Sequence, residues 1–141
     1  MNRFLKRPPL DTPGLYQTED GDASSRMVYA HYFTNTGADW YVLEYSPNLD
    51  VAFGWVEILP GCGEYGTFLI QELEEVRIDI PIRLVHADQH SEEVNVTVTV
   101  EHDDNWERKS MESALECHRT KFYGKSEMHK NNSQRFPFPR L

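Results

Sequence analysis

The feature that most constrains the fold of this 141-residue chain is a strict alternation of valine with polar residues. The valines are Val94, Val96, Val98 and Val100, and the alternating polar residues are Asn95, Thr97, Thr99 and Glu101. Successive side chains of a strand point to opposite faces, so this period of two predicts a strand with all four valines on one face. We expect the valine face to be covered by the core and the polar face to lie in water.

Three earlier segments are dense in β-branched and aromatic residues, and turn-forming sequences separate them. They span residues 27–34, 40–45 and 51–59, and their close spacing predicts an antiparallel meander. A fourth strand is expected at 65–70, after a turn at 60–63.

Two segments carry weaker strand patterns. Residues 15–18 predict a short strand. Residues 78–85 predict an edge strand or a loop, because Pro81 has no N–H to donate to a neighbouring strand.

Two helices complete the prediction. Glu and Leu at helical spacing favour a short helix at 71–77. A longer helix is expected from about Asn105 to Tyr123, with Asp103 or Asp104 as its N-cap and Gly124 as its stop. The fold class is therefore α+β: mostly antiparallel β-sheet with one short helix and one longer C-terminal helix.

Length and composition favour a single domain. The chain can bury one core, and 39% of its residues are apolar. We expect an extended basic, proline-rich arm at 1–14, a single α+β domain at 15–124 and a basic flexible tail at 125–141. The N-terminus lacks the apolar stretch of a secretory signal, and the two cysteines form no disulfide framework, so a cytoplasmic protein is expected.

Acidic residues are concentrated in the body of the chain. Residues 8–117 carry 22 Asp and Glu against five Arg and Lys, whereas both ends are basic. Such a body repels nucleic-acid phosphates, which argues against direct nucleic-acid binding. Two explanations of the charge remain: solubility, or complementarity to a basic surface of a protein partner.

Several segments, in order, resemble a known family. They are LYQTE at 15–19, VYAHYFT at 28–34, WYVLEY at 40–45, AFGWV at 52–56, and EYG at 64–66 with QEL at 71–73. Over roughly residues 13–88 the chain resembles the domain-of-unknown-function family 2958, small proteins of bacterial plasmids, integrative elements and phages. The resemblance implies a mobile genetic element in a bacterial cytoplasm, and it implies no reaction.

The chain also departs from that family's pattern. Asp39-Trp40-Tyr41 stands where the family often has Thr-Trp-Tyr, and residues 83–88 stand where it often has Glu-Arg-Asp. The valine strand, the long helix and the basic tail lie outside the resemblance.

One local cluster has the residue types of a metal site. His86, Asp88 and His90 are spaced at i, i+2 and i+4, so on a strand their side chains would share one face. Two imidazoles and a carboxylate can hold Fe(II) or Zn(II), with Glu92 and Glu93 as further oxygen ligands. The alternative is an exposed polar turn, which we favour, and no cofactor is expected.

Candidate partner-binding residues are acidic or aromatic. The acidic ones are Asp20, Asp22, Glu74, Glu75, Glu92, Glu93, Asp103 and Asp104, and the aromatic ones are Tyr29, Trp40, Phe136 and Phe138. Tyr32, Tyr41 and Trp55 are expected to fill the core. Exposed Tyr and Trp are common in protein-binding surfaces.

The function expected is that of a non-enzymatic, protein-binding accessory protein of a phage or mobile element. Its concrete form is an inhibitor of a host defence complex, with an acidic surface opposed to a basic, nucleic-acid-handling site. One alternative is a structural component docked onto an assembly through the basic C-terminal tail. Another is a metal-dependent enzyme that uses His86, Asp88 and His90.

Overall fold

A computed structural model describes residues 4–19 and 21–123, with side chains described as far as residue 120. The strands are β1 (Met27–Val28), β2 (Ala30–Phe33), β3 (Asp39–Ser46), β4 (Val51–Glu57), β5 (Gly63–Leu69), β6 (Ile78–Val85), β7 (Ser91–Val98), β8 (Glu101–His102) and β9 (Lys109–Ser110). The helices are α1 (Ile70–Glu74) and α2 (Met111–Tyr123), with a short 3-10 helix at Ala23–Ser25. The predicted α+β class is confirmed.

The main sheet is the predicted antiparallel meander. Its five strands lie in the order β5-β4-β3-β2-β8, with β2, β3, β4 and β5 adjacent in both sequence and space. The predicted strand at 27–34 is broken at Tyr29, whose N–H donates to the carbonyl of Val42 at 2.9 Å. The two residues before the break form β1, which pairs with β9.

The predicted strand at 15–18 is wrong. This segment is a turn in which Tyr16 has a φ of 68°. The Glu44 carboxylate accepts the N–H groups of Tyr16 at 2.8 Å and Thr18 at 2.9 Å, so it holds the turn in place of a neighbouring strand. The buried side chain of a β3 residue therefore decides the conformation of a distant loop.

Both faces of the main sheet are covered. On one face, β2 and β3 pack with α1, Leu5 and Val100 in a cluster centred on the fully buried Tyr32. On the other face, Tyr41 and Leu43 pack against Met111 and Ala114 of α2. Tyr32 and Tyr41 are core residues as predicted, whereas Trp55 is half-buried at the edge of the second cluster.

Helix α2 begins later than predicted. The expected start near Asn105 is wrong, because β9 pairs with β1 and the helix begins at Met111. The Ser110 hydroxyl accepts the N–H of Ser113 at 3.1 Å, so Ser110 caps the helix in the place expected for Asp103 or Asp104. The predicted stop, Gly124, lies outside the described residues. Helix α1 confirms the predicted short helix, although it ends at Glu74.

The valine strand is real, but its expected burial is wrong. Strand β7 pairs with β6 to form a two-stranded antiparallel hairpin, which confirms the edge-strand prediction for the segment containing Pro81. Val96 is 42% exposed, and only Val100, beyond the end of the strand, is fully buried. Local periodicity correctly placed the valines on one face, but this face is not part of the core.

The first residues described are held against the body. Leu5 is buried, and the Arg7 guanidinium donates to Asp50 at 3.0 and 3.1 Å and to Glu74 at 2.5 Å. Across the described ranges, no helix is long and apolar enough to cross a membrane.

Candidate functional site

The β6–β7 hairpin presents one apolar face. The register places Ile78 opposite Val98, Ile80 opposite Val96 and Ile82 opposite Val94. Residues directly opposite each other in an antiparallel pair share a face, so these six side chains form a ladder that Leu84 extends toward the turn. We call the seven residues the apolar ladder.

The opposite face of the hairpin is mostly polar. It carries Asp79 opposite Thr97, whose hydroxyl donates to the Asp79 carboxylate at 2.8 Å, and Arg83 opposite Glu93. The two faces therefore differ in chemistry although they belong to the same two strands. This contrast offers matched variants for experiments on the apolar ladder.

The apolar ladder is only partly covered by the rest of the molecule. Ile82 is 38%, Leu84 42% and Val96 42% exposed, whereas Ile78 and Val98, nearer the body, are half-buried. Among the described elements, β6 and β7 chiefly contact each other. A two-stranded hairpin alone is marginal in water, and contiguous exposed apolar surface marks interaction sites in monomeric proteins.

The turn of the hairpin contains the proposed metal ligands, but not in the predicted geometry. Residues 86–90 join the strands, the His86 N–H donates to the His90 carbonyl at 2.7 Å, and Gln89 has a φ of 69°. The Asp88 carboxylate accepts the N–H of His90 at 2.9 Å. The premise that all three side chains share a strand face is therefore wrong.

The histidines in this turn have other neighbours. His86 Nε2 lies 2.8 Å from Glu92 Oε1, and the rings of His86 and His90 stack at 5.5 Å. In the residues that the structure describes, no group of three or more His, Cys, Asp or Glu side chains is arranged to hold a metal ion.

The predicted acidic residues divide into exposed ones and ones that are buried or half-buried. The exposed ones are Asp22, Glu75, Glu92, Glu93 and Asp104. They lie on different elements: Asp22 caps the 3-10 helix, Glu75 is the C-cap of α1, and Glu92 and Glu93 follow Ser91 at the start of β7. Asp20 lies outside the described residues. Of the described positions, Glu92 shares the face of the apolar ladder, opposite Leu84, whereas Glu93 lies on the other face, opposite Arg83.

Two predicted partner contacts are engaged inside the molecule. Glu74 is buried, and its hydrogen bond from Arg7 lowers the pKa of the carboxyl below its ordinary value. Asp103 is half-buried, with its Oδ2 2.9 Å from His31 Nδ1. The prediction that Glu74 contacts a partner is therefore wrong. Asp103 already contacts His31 within the molecule.

The predicted aromatic contacts that the structure describes are also buried or half-buried. Trp40 is wrong, because it is 5% exposed and belongs to the main core. Tyr29 is half-buried, and the Arg108 guanidinium lies 4.7 Å from its ring centroid. Phe136 and Phe138 lie outside the described residues.

Sequence reasoning missed a buried chain of imidazoles and carboxylates between the main sheet and α2. His31 lies between Asp39, at 2.7 Å from its Nε2, and Asp103. His118 of α2 lies between Glu57, at 2.7 Å from its Nε2, and Asp39, whose Oδ2 is 3.4 Å from its Nδ1. The one available signal was the spacing of His118 from Met111, Ala114 and Leu115, which places these residues on one side of the predicted helix.

The arrangement explains how these charges are kept inside. A carboxylate only accepts hydrogen bonds, and the two nitrogens of the His31 ring face one carboxylate each, Asp39 at 2.7 Å and Asp103 at 2.9 Å. Burial raises the pKa of Glu57, but hydrogen bonds from His118 and from the Gly61 N–H outweigh it and hold the pKa below its ordinary value. Burial, with Asp39 and Glu57 nearby, strongly raises the pKa of Tyr41, so its phenol stays protonated.

These buried side chains tie elements of the fold together. His31 is 7% and His118 5% exposed, and the Tyr41 ring stacks on His31 at 4.6 Å. The Tyr41 hydroxyl also lies 3.3 Å from His118 Nδ1. Because these side chains pack between the sheet and α2, their contacts link β2, β3 and β4 to the helix.

Comparisons with known proteins identify a family but no activity. The sequence model of a family described as "Protein of unknown function (DUF2958)" matches residues 15–107. No curated protein matches. No solved structure matches. The match continues past residue 88 through the whole β6–β7 hairpin, so the valine strand lies within the family region, whereas α2 begins beyond it.

Proposed function

We propose that this chain, which belongs to the DUF2958 family of proteins of unknown function, is a non-enzymatic protein-binding accessory protein. The observation that carries the proposal is the apolar ladder of the β6–β7 hairpin, which the rest of the body leaves partly open to solvent. Apolar side chains at the centre of an interface supply most of its affinity once a partner removes them from water.

Charge around the apolar ladder indicates the chemistry of the partner. The hairpin, residues 78–98, carries four carboxylates against Arg83 alone. Glu92 and Glu93 lie at the tip, next to Leu84 and Arg83. Charges at the rim of an interface select the partner and speed its approach. A basic surface surrounding an apolar patch therefore fits this site.

The non-enzymatic character is supported by where the titratable side chains lie. The buried histidines His31 and His118, each with a carboxylate oxygen 2.7 Å from Nε2, are enclosed between sheet and helix. The Tyr41 hydroxyl, beside them, is held in its protonated form. A general base must come within hydrogen-bond reach of a substrate, and these groups reach only each other.

The biological setting is part of the same proposal. The protein acts in a bacterial cytoplasm as a product of a phage or other mobile element. Its concrete role is to inhibit a host defence complex by occupying a basic site that handles nucleic acid. The acidic body supports this role, because it mimics the sign of a phosphate backbone and repels nucleic acid itself.

The test is a capture experiment with matched hairpin variants. The full chain is used as bait in its bacterial host, with Ile82→Thr/Val96→Thr on the apolar ladder and Asn95→Ala/Thr97→Ala on the opposite face. We expect a partner that the wild type and the opposite-face variant retain and the ladder variant loses. The dissociation constant of the purified pair should then rise steeply with salt concentration, as charge complementarity requires.

Two results would overturn the proposal. One is that every captured protein binds the ladder variant as well as the wild type. The other is a purified pair whose affinity does not change between low and high salt. The opposite-face variant controls for damage to the hairpin itself, because it alters two positions on the other face of the same hairpin.

A further inference from the structure

We propose that the chain's own C-terminal segment, residues 124–141, occupies the apolar ladder when no partner is bound. This inference rests on the proposed function, because it assigns an internal competitor to the same surface. The segment lies outside the described residues, and its chemistry is read from the sequence.

The size of the apolar ladder favours a tethered occupant. Eight paired residues per strand give a hairpin face of about 270 Å², taking a strand rise of about 3.4 Å and a side-chain width of about 10 Å across two strands. A stable complex between separate proteins buries about 800 Å² on each partner. A tethered segment needs less surface, because its effective concentration reaches the millimolar range.

Charge argues against a second copy of the chain as the occupant. Residues 78–98 carry Asp79, Asp88, Glu92 and Glu93 against Arg83, so two hairpins face to face would bring like charges together. Residues 124–141 carry Lys125, Lys130, Arg135 and Arg140 against Glu127. The hairpin and this segment therefore have opposite net charge.

The end of the segment also has the apolar groups that the ladder needs. Phe136 and Phe138 alternate with Pro137 and Pro139, and Arg135 and Arg140 flank them. Prolines favour an extended backbone and lower the entropy that is lost on docking. Two phenyl rings against Ile82 and Val96, with an arginine near Glu92, match the apolar side chains and the carboxylate on the ladder face.

The segment is long enough to reach the hairpin from the end of α2. Its 18 residues span up to about 60 Å when extended. A folded domain of this chain length has a radius of gyration of only about 14 Å. The helix covers one face of the main sheet, and the hairpin emerges beside Val76 and Val100, on the side of the other core cluster.

The test measures proximity within the full chain. Cys62 and Cys117, both exposed, are replaced by serine, and a nitroxide spin label is attached at Ser133→Cys. We expect the label to reduce the NMR methyl signals of Ile82, Val94 and Val96 by half or more. Phe136→Ala/Phe138→Ala should restore these signals, whereas the matched tail variant Asn131→Ala/Asn132→Ala should not.

Three results would overturn the inference. The first is full methyl signals on the hairpin in the labelled chain. The second is a reduction that persists in the phenylalanine variant. The third is a reduction that also appears when labelled chains are mixed with unlabelled, isotope-enriched ones, because the occupant is then a second copy.

A second measurement separates this inference from the proposed function. If the segment covers the ladder nine-tenths of the time, the phenylalanine variant should bind the captured partner about tenfold more tightly. If a partner requires the ladder but the hairpin signals of the labelled chain stay full, only the inference about the C-terminal segment is rejected. Reduced hairpin signals without any ladder-dependent partner reject only the proposed function.

Discussion

Nε2 of His118 lies 2.7 Å from Oε2 of Glu57, and both side chains are buried. His118 belongs to α2, and Glu57 ends β4, so this contact joins the C-terminal helix to the main sheet. The same Glu57 oxygen accepts the N–H of Gly61 at 3.1 Å. One carboxylate thus fixes both the helix and the turn that leads into β5.

Replacing His118 should destabilise the fold strongly. In His118→Leu, the buried Glu57 carboxylate loses its closest partner, and removing one side of a buried contact to a charged group costs about 3–5 kcal/mol. Urea denaturation of the full chain measures this loss. The exposed Glu116→Ala on the same helix should change the free energy of unfolding by less than about 0.5 kcal/mol. A His118→Leu loss no larger than that of the control would contradict a structural role for the buried pair.

Acid should destabilise the protein through specific carboxylates. The pKa values of Glu44, Glu57 and Glu74 all lie below their ordinary value of 4.5. The folded state therefore favours the ionised forms, which contribute stability above about pH 4.5, and this stability is lost as the pH falls through the lowered values. Denaturation curves from pH 7 to pH 3 measure the effect.

Part of the stability lost in acid can be assigned to one residue, Glu74. Glu74→Gln should flatten the acid side of the stability profile, because one carboxyl with a lowered pKa no longer titrates. The exposed Gln71→Ala on the same helix is the neighbouring control, because it removes no carboxyl, and its acid slope should match that of the wild type. Identical acid slopes for the wild type and Glu74→Gln would refute the assignment.

Gly54 should not tolerate a side chain. A Cβ built on Gly54 would lie 1.7 Å from the backbone oxygen of Tyr41, beside the register shift between Val42 and Glu44. Gly54→Ala should cost about 3 kcal/mol or more, since the strands must separate to accept it. Gly66, its partner on β5, has open space around the same position, so Gly66→Ala is the matched control. Equal melting temperatures for the two variants would contradict this explanation.

The planar geometry of the Arg7 guanidinium, and not only its charge, should contribute to stability. Its guanidinium contacts Asp50 through two nitrogens and also donates to the carbonyl of Leu5 at 2.8 Å. Lysine cannot reproduce that planar geometry, so Arg7→Lys should cost about 1 kcal/mol, measured by chemical denaturation. Lys6→Arg, at the exposed neighbour, serves as the control. No loss in Arg7→Lys would show that charge alone suffices at this position.

Local pattern predicted most of the secondary structure. The meander, the short helix and the valine strand all follow from composition and spacing, and each is found. Where prediction was wrong, a distant side chain or strand was responsible: Glu44 holds residues 15–18 as a turn, and the pairing of β9 with β1 delays the start of α2. Such contacts join residues far apart in sequence, so no local window contains them.

At the candidate site, too, local sequence predicted some features and long-range contacts decided the others. Sequence identified Glu92 and Glu93 as exposed acids and identified the valines as one face of a strand. It placed Trp40 and Glu74 on the surface by residue type, whereas packing against the core and pairing with Arg7 bury them. The buried contacts of His31 and His118 were invisible, because their partners are as many as 77 positions away.

By itself, the sequence determined which residues share a face, where turns interrupt strands, and that the body is acidic, because these properties depend on local order and composition. Only the tertiary structure decided what covers each face. Both β3 and β7 carry apolar side chains, yet β3 is enclosed between two clusters and β7 stands in a partly open hairpin. Burial depends on which other elements pack against a strand, and that is a property of the whole chain.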